Sequence, residues 1–436
     1  MATLARHYPR LPAVGERKNH DPGTLRKLWV ALYAGAFFLP PIPLGFTPSA
    51  RSKLLPGAIV AVAYLMWRPI FCHQGFFNFA TPKRFLPLAI TFYIAGHAAY
   101  LALFGNVIAG LNEAQWIVYL MAPLLMVWDL GPSQANFVVK ALLACLGLES
   151  ILAIISSFTG PMYAYVVLWY GPRFGTSVYR AVGTTDSTNS LGGLMAFGAL
   201  VCLFAPTKVL PVRRSILLTG LLAAVVLSQS KSAFFGVIIS FLAVSVMSFR
   251  SRLGHIRGLL KAVIAHALGT LLVGGVFYFY GQAVLDNMTQ DYGDRTALGE
   301  RVVSQIMQFD WMQTLFGVGF HGVDYVNPST GAWITAHNSY INLLADLGVF
   351  GFGLVAALLV VLVVTVFNHR QWHLLAGVIG LLLHFVTEAF LYAPMFIMTV
   401  GTLYGLTCIS GRPFEADGRQ RRSVEARPRL ATRFYA

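Results

Sequence analysis

A chain of 436 residues has the length of two or three soluble domains, but 56% of its residues are hydrophobic and only 11% are charged. An average soluble chain carries roughly a quarter charged residues, so this one lacks the charge to cover a water-exposed surface. The 32 Lys and Arg outnumber the 17 Asp and Glu to give a net charge of +15. These cations lie in the tails and between apolar runs, where they read as topology signals rather than nucleic-acid contacts.

Residues 1–27 are polar and carry Arg6, Arg10, Arg17, Lys18, Arg26 and Lys27 ahead of the first apolar run. A cleavable signal has a short charged start, a brief apolar core and a small-residue cleavage site. The first run is therefore expected to stay in the membrane. A bilayer crossing needs roughly 20 mostly apolar helical residues. On that measure the chain holds about twelve candidates: 28–48, 54–72, 86–105, 112–129, 136–158, 190–206, 215–230, 232–249, 262–281, 338–366, 373–389 and 393–410. The expected fold is an all-α polytopic membrane protein with a large structured loop between helices 9 and 10. It divides into a basic segment 1–27, one transmembrane domain over 28–410 with outer loops 159–189 and 282–337, and a basic tail 411–436. Cys145, Cys202 and Cys408 lie in apolar runs and Cys72 at the end of one, which argues against a disulfide framework.

With the N-terminus inside, 25 of the 32 Lys and Arg fall on the inner side and 7 on the outer. That asymmetry places both termini in the cytoplasm. Aromatic residues in the long outer segments, among them Tyr163, Trp169, Tyr170, Trp311, Phe316, Phe320 and Trp333, suit packed structure at the interface. The tail from Arg412 onward suits a disordered arm lying on anionic lipid.

Topology accounts for the inner cations but not for the outer ones, of which Arg173, Arg180, Lys231, Arg295 and Arg301 are the informative set. Arg180 precedes the sixth helix, Lys231 occupies a tight hairpin between the seventh and eighth, and Arg301 lies in the large loop. Cations from separate stretches meeting at one membrane face suit an anionic lipid head group such as a diphosphate. Each taken singly also fits a snorkelling or ion-paired interface residue. Ala336-His337-Asn338-Ser339-Tyr340 marks where the outer loop re-enters the membrane. An imidazole there can exchange a proton with a reacting hydroxyl, or it can be a hydrogen-bonded histidine at a helix start capped by Asn338 or Ser339.

Other features carry less. Gly317-Val318-Gly319-Phe320-His321-Gly322 has the spacing of a dinucleotide loop without its strand–helix context, and reads as a turn. Asp291 and Asp294 lack a third acid or a His to make a metal site. His97, Asp129, Glu149, His266, Asp346, His384 and Glu388 fall within helices. Intramembrane ionisable groups are functional candidates by default, and His384 and Glu388, one helical turn apart, keep a proton-coupled transporter open as an alternative.

His337-Asn338-x-Tyr340, with Leu344, Asp346, Gly348 and Gly351, resembles the signature of the O-antigen ligase and polymerase superfamily. Arg180-x-x-Gly183-Thr184 with Asn189 is similar to an upstream motif of that family. Ser230-Lys231-Ser232-Ala233 resembles its Ser-Arg-Ser/Gly-Ala element, with Lys where Arg is usual. Gly299-Glu300-Arg301 followed by Leu315-Phe316-Gly317-Val318-Gly319 resembles part of its periplasmic loop. The likeness runs in order over residues 175–355. It implies a membrane glycosyltransferase of GT-C-like architecture in the bacterial inner membrane, with a periplasmic active site.

Length, twelve helices and the basic tail look most like the ligase, which moves O-antigen from undecaprenyl diphosphate onto lipid A–core oligosaccharide in lipopolysaccharide biosynthesis. The polymerase uses the same donor and stays open. By this resemblance His337, Arg301 and Arg180 would be catalytic, and Arg180, Arg301, Lys231 and Arg173 would bind the donor diphosphate. Asn338, Tyr340 and Asp346 would support them. Lys231 departs from the motif by offering a point charge without the planar fork. The first outer loop, 44–53, has no Asp or Glu, where metal-using membrane glycosyltransferases commonly place acidic residues. The expectation is therefore a reaction with neither metal nor nucleotide, with membrane lipids but no nucleic acid as further partners.

Overall fold

The computed structural model describes residues 22–37, 42–43, 53–54, 56–71, 82–104, 107–160, 180–185, 187–250, 299–320, 323, 325–326, 333–334, 337–388 and 394–409. They form helices α1 (Pro22–Phe37), α2 (Pro56–Phe71), α3 (Pro82–Phe104), α4 (Val107–Leu130), α5 (Ala135–Thr159), α6 (Thr188–Phe204), α7 (Arg214–Ser228), α8 (Lys231–Arg250), α9 (Trp311–Phe316), α10 (Ser339–Asn368), α11 (Trp372–Thr387) and α12 (Pro394–Ile409). Residues 299–306 are also helical. Two antiparallel pairs of two-residue strands complete the set: β1 (Ile42–Pro43) with β2 (Lys53–Leu54), and β3 (Tyr325–Val326) with β4 (Trp333–Ile334).

Eleven of the twelve expected apolar segments thus coincide with a helix, while the ninth, 262–281, lies outside the described residues along with Asp291, Asp294, Arg295 and His266. Arg84–Leu103, Pro132–Thr159, Lys231–Ser248 and Ser339–Asn368 are long and apolar enough to cross a bilayer, and four shorter apolar helices accompany them. The first segment, 28–48, has the broken end that its prolines at 40, 41 and 43 imply. Its helix starts at Pro22 and ends at Phe37, and Ile42–Pro43 is a strand. Pro40, Pro41 and Pro43 remove backbone donors and push the residues before them toward extended conformations. Four helices begin on proline (Pro22, Pro56, Pro82 and Pro394), where the missing N–H would have had no intrahelical partner.

The helices pack around one continuous apolar core. α4 lies against α1, α2, α3 and α12, and α6 against α7, α8 and α11; α10 touches both α3 and α11, so it bridges the two groups. Close approach rests on small residues, as is usual between membrane helices. A Cβ at Gly401 would come within 2.4 Å of the Leu120 carbonyl on α4, and one at Gly405 within 3.0 Å of the Leu124 carbonyl.

At the cation-rich end Asp129 is buried, and Arg68 grips its carboxylate through Nε at 2.7 Å and a terminal nitrogen at 3.0 Å. Tyr64 donates to the same carboxylate and Arg26 to the Asp129 carbonyl at 2.9 Å. Arg84 lies over the Trp128 ring at 4.0 Å. Asp129 therefore acts as the anchor of three helices, a structural role for one intramembrane acid.

At the other end α10 is not one rod. Gly348 has φ 62° and ψ −174°, which interrupts the helix after Leu347. The freed carbonyls of Ala345 and Asp346 accept from Val318 N at 3.1 Å and Gly319 N at 2.9 Å. The Gly317–Phe320 stretch is thus a turn wedged into a broken helix. Broken membrane helices are tolerated where neighbouring groups satisfy the backbone in this way.

Candidate functional site

Arg180 begins a short described segment that runs into the helices. Ala181, Val182, Thr184 and Thr185 are all buried. The Glu149 carboxylate on α5 accepts from Thr184 N at 2.6 Å and from the Thr184 hydroxyl at 2.8 Å. Ser156 Oγ accepts from Val182 N at 3.3 Å and Gly183 N at 3.2 Å. Glu149 lies ten residues before the end of α5, so the segment descends about 15 Å along that helix. Gly183 holds φ +59°, and a Cβ on it would stand 2.0 Å from Glu149 Oε1. Gly183→Ala is therefore expected to destabilise the protein by about 2–4 kcal/mol, from backbone strain plus the displaced carboxylate. Thermal unfolding in detergent measures it, and an unchanged midpoint would contradict this packing.

This anchoring fixes Arg180 against the α7–α8 hairpin. Its Nε donates to Ser228 O at 3.1 Å, and a terminal nitrogen reaches Asn189 Oδ1 at 3.2 Å and Gln229 O at 3.4 Å. The carbonyls at a helix C-terminus favour a cation there. Gln229 takes the left-handed conformation (φ 53°) that turns the chain, and Lys231 opens α8 two residues later with its ammonium nitrogen shielded from solvent. Arg180 and Lys231, 51 positions apart in sequence, therefore belong to one hairpin corner.

Asn189 connects this corner to the rest. Ser187 caps α6 by accepting from Asn189 N, which sets the Asn189 side chain between Arg180 and Glu388. Its Nδ2 donates to Glu388 Oε1 at 2.7 Å. The other carboxylate oxygen of Glu388 lies 2.9 Å from His337 Nδ1. Glu388 is 5% exposed at its side chain and His337 33%, so the carboxylate is enclosed and the imidazole opens outward. The Glu388 backbone carbonyl also accepts from Ser339 N at 3.2 Å and from the Ser339 hydroxyl at 2.6 Å. A chain of hydrogen bonds thus runs Arg180–Asn189–Glu388–His337, from three elements far apart in sequence. His384, on the last turn of α11, points Nε2 at the Asn189 carbonyl at 3.1 Å. Gly193 makes room for it, since a Cβ there would meet the His384 ring at 2.4 Å.

The remaining expected site residues fall as follows. Asn338 caps α10, accepting from Tyr340 N at 3.0 Å and Ile341 N at 3.1 Å. The Tyr340 hydroxyl donates to Leu382 O on α11 at 3.1 Å. Asp346 is buried near the break in α10, about two helical turns from the start of that helix beside His337. Arg301 is exposed on the 299–306 helical stretch. The next residue, Val302, packs with Ala345, Ile341 and Val318, which sets that stretch against the first turns of α10. Arg173 lies outside the described residues.

Residues 215–356 match the family model described as O-antigen ligase. Over these residues, about a third of the chain, the protein is similar to that family. The matched stretch runs from α7 into α10 and contains Lys231, Arg301, His337, Asn338, Tyr340 and Asp346; Arg180, Asn189 and Glu388 lie outside it. No curated protein matches the chain. The apolar helices and the family match together indicate a membrane-integral protein, and the match supports an O-antigen ligase- or polymerase-like function.

Two members of the hydrogen-bonded chain were not among the site residues expected from sequence. Asn189 appeared only as part of a motif. Glu388 was grouped with His384 as a transporter pair, yet α11 ends at Thr387 and Glu388 is extended (φ −149°), which turns its carboxylate to His337. No local pattern links positions 51 apart; the signal in sequence was only that an acid stood where an apolar helix ended.

Proposed function

We propose that the protein is an O-antigen ligase, transferring O-antigen polysaccharide from undecaprenyl diphosphate to lipid A–core oligosaccharide on the periplasmic face of the bacterial inner membrane. The observation that carries this reading is the His337–Glu388 pair at 2.9 Å, tied through Asn189 to Arg180. An ionised Glu388 accepts a hydrogen bond from Nδ1–H, which leaves Nε2 with the lone pair needed to take a proton from the acceptor sugar hydroxyl. As that oxygen bonds to the anomeric carbon, the carbon–oxygen bond to the lipid diphosphate breaks. A single displacement inverts the anomeric configuration. The leaving diphosphate keeps the electron pair, and Arg180, Arg301 and Lys231 stabilise its growing charge. Asn189 and Glu388 position the groups at the two ends of the reaction.

Bond energy arrives in the lipid-linked donor, so no nucleotide is required, and the proposed acid–base and cationic groups require no metal. The test is reconstitution of the purified protein with lipid-linked glycan and lipid A–core, with and without chelator. Product at unchanged rate in EDTA and without ATP is expected. Loss of product in EDTA, restored by a divalent cation, would replace this mechanism with a metal-assisted one. Elongation of a second lipid-linked glycan instead of lipid A–core would assign the protein as a polymerase.

A further inference from the structure

A second His–Glu pair lies away from the site, and the proposed reaction does not use it. Glu113 on α4 is wholly buried. Its Oε2 is 2.9 Å from His97 Nδ1 on α3, and its Oε1 accepts from Phe320 N at 3.0 Å. The Phe320 ring meets Trp116, one turn along α4, edge to face. Tyr93, one turn before His97, stacks on the imidazole with its ring tilted only 13°. The Tyr93 hydroxyl then reaches the carbonyls of Leu347 and Phe316.

These bonds converge on one feature, the break in α10. Ala345, Asp346 and Leu347 have lost their helical partners to Gly348 and are taken up by Val318, Gly319 and Tyr93. The fit leaves no slack. A Cβ on Gly317 would lie 2.1 Å from Asp346 O, and one on Gly348 would lie 2.4 Å from Leu315 O. The first segment of α10, residues 339–347, is thus gripped at both ends. At its start Glu388 holds Ser339 and His337. At its end the Leu315–Phe320 strap holds the carbonyls, and Glu113 holds the strap. The same segment supplies Ile341 and Ala345 to the small apolar cluster with Val302, beside Arg301.

We propose that Glu113, with His97 and Tyr93, is a positioning residue for glycosyl transfer: it pins the strap in the break of α10 and so fixes His337 relative to the Arg301 stretch. This rests on the proposed function for its kinetic consequence, but the geometric consequence stands apart from it. A buried carboxylate that loses no donors is a rigid post. Removal of the post leaves Phe320 N unsatisfied and frees the strap to leave the α10 carbonyls. Substrate groups still bind their own contacts, but the base and the cations no longer hold one geometry, and small misplacements cost rate more than binding.

The test uses the full-length protein in a cysteine-free background, with spin labels at Val303 and Phe92, both exposed. The wild type is expected to give one narrow distance, and Glu113→Ala a broad distribution. Glu113→Gln keeps a carbonyl for Phe320 N and is expected to stay narrow. In the reconstituted transfer assay, Glu113→Ala should lower kcat about 30-fold or more with donor KM within about 3-fold, and Glu113→Gln should recover at least a third of the wild-type rate. If Glu113→Ala aggregates, Tyr93→Phe removes only the hydroxyl at the break and should broaden the distance with a kcat loss of about 5-fold. A narrow, unshifted distance in both Glu113→Ala and Tyr93→Phe overturns the inference, as does a loss confined to donor KM. Wild-type protein that transfers no lipid-linked glycan overturns the functional reading instead, while the distance measurement still decides the role of the strap.

Discussion

His337→Ala is expected to lower the transfer rate about 10²- to 10⁴-fold, the range for removing a general base, while the protein still inserts and unfolds at a near-normal temperature. His337 is a third exposed and its hydrogen bond to Glu388 is not what closes α10; Asn338 caps the helix and Ser339 binds the Glu388 carbonyl. Glu388→Gln tests the pairing more sharply. The amide keeps the size of the side chain, and the backbone carbonyl that receives Ser339 is untouched, but an amide N–H facing Nδ1 would draw the ring proton to Nε2 and remove the lone pair the acceptor needs. The loss should approach that of His337→Ala. Because the two residues act as one unit, the double substitution should be little worse than either alone. Multiplicative losses, measured as single-turnover rates, would show that Glu388 acts through something other than the imidazole.

The helices were legible from apolar run length, since a bilayer imposes both length and composition. Where proline intervenes, as at Pro40 to Pro43, the broken end is legible as well, and the helix stops at Phe37. His337 was legible because it stands at a polar-to-apolar boundary with a capping residue after it. Glu388 was not, because its partner is set by how α10 meets α11, and the i, i+4 spacing to His384 suggested a helical pair that the end of α11 at Thr387 removes. Glu149 and Asp129 read alike in sequence as intramembrane acids. The structure separates them: one receives the Thr184 backbone and hydroxyl, the other an arginine fork. Each position was visible; what each one holds depends on tertiary partners.

The break in α10 shows the same limit. Gly348 and Gly351 in an apolar run are unremarkable among membrane helices. The Gly317-Val318-Gly319 turn was also visible. Neither reveals that one inserts into the other, because the contact joins a loop to a helix some thirty residues on. A backbone gap filled by another backbone leaves no side-chain pattern to read.

Arg180→Ala is expected to lower kcat about 10²- to 10³-fold, the loss typical for one preorganised donor at a site of developing charge. Arg180 also has structural bonds to Ser228, Gln229 and Asn189, so the rate alone would not separate chemistry from scaffolding. The segment itself is held by Ala181 N on Leu227 O at 2.9 Å and by Thr184 on Glu149, which the substitution spares. Its stability cost should therefore be about 1–2 kcal/mol. The separating measurement is product inhibition: under the proposed function Arg180 meets the charge of undecaprenyl diphosphate, whose inhibition constant should rise about tenfold or more, while the acceptor KM moves little. Arg180→Lys should recover part of the charge stabilisation but not the fork that spans the hairpin carbonyls and Asn189, and so fall between. Equal weakening of acceptor and diphosphate would mean that Arg180 only staples the loop, and the diphosphate would then have to be met by Lys231 and Arg301 alone.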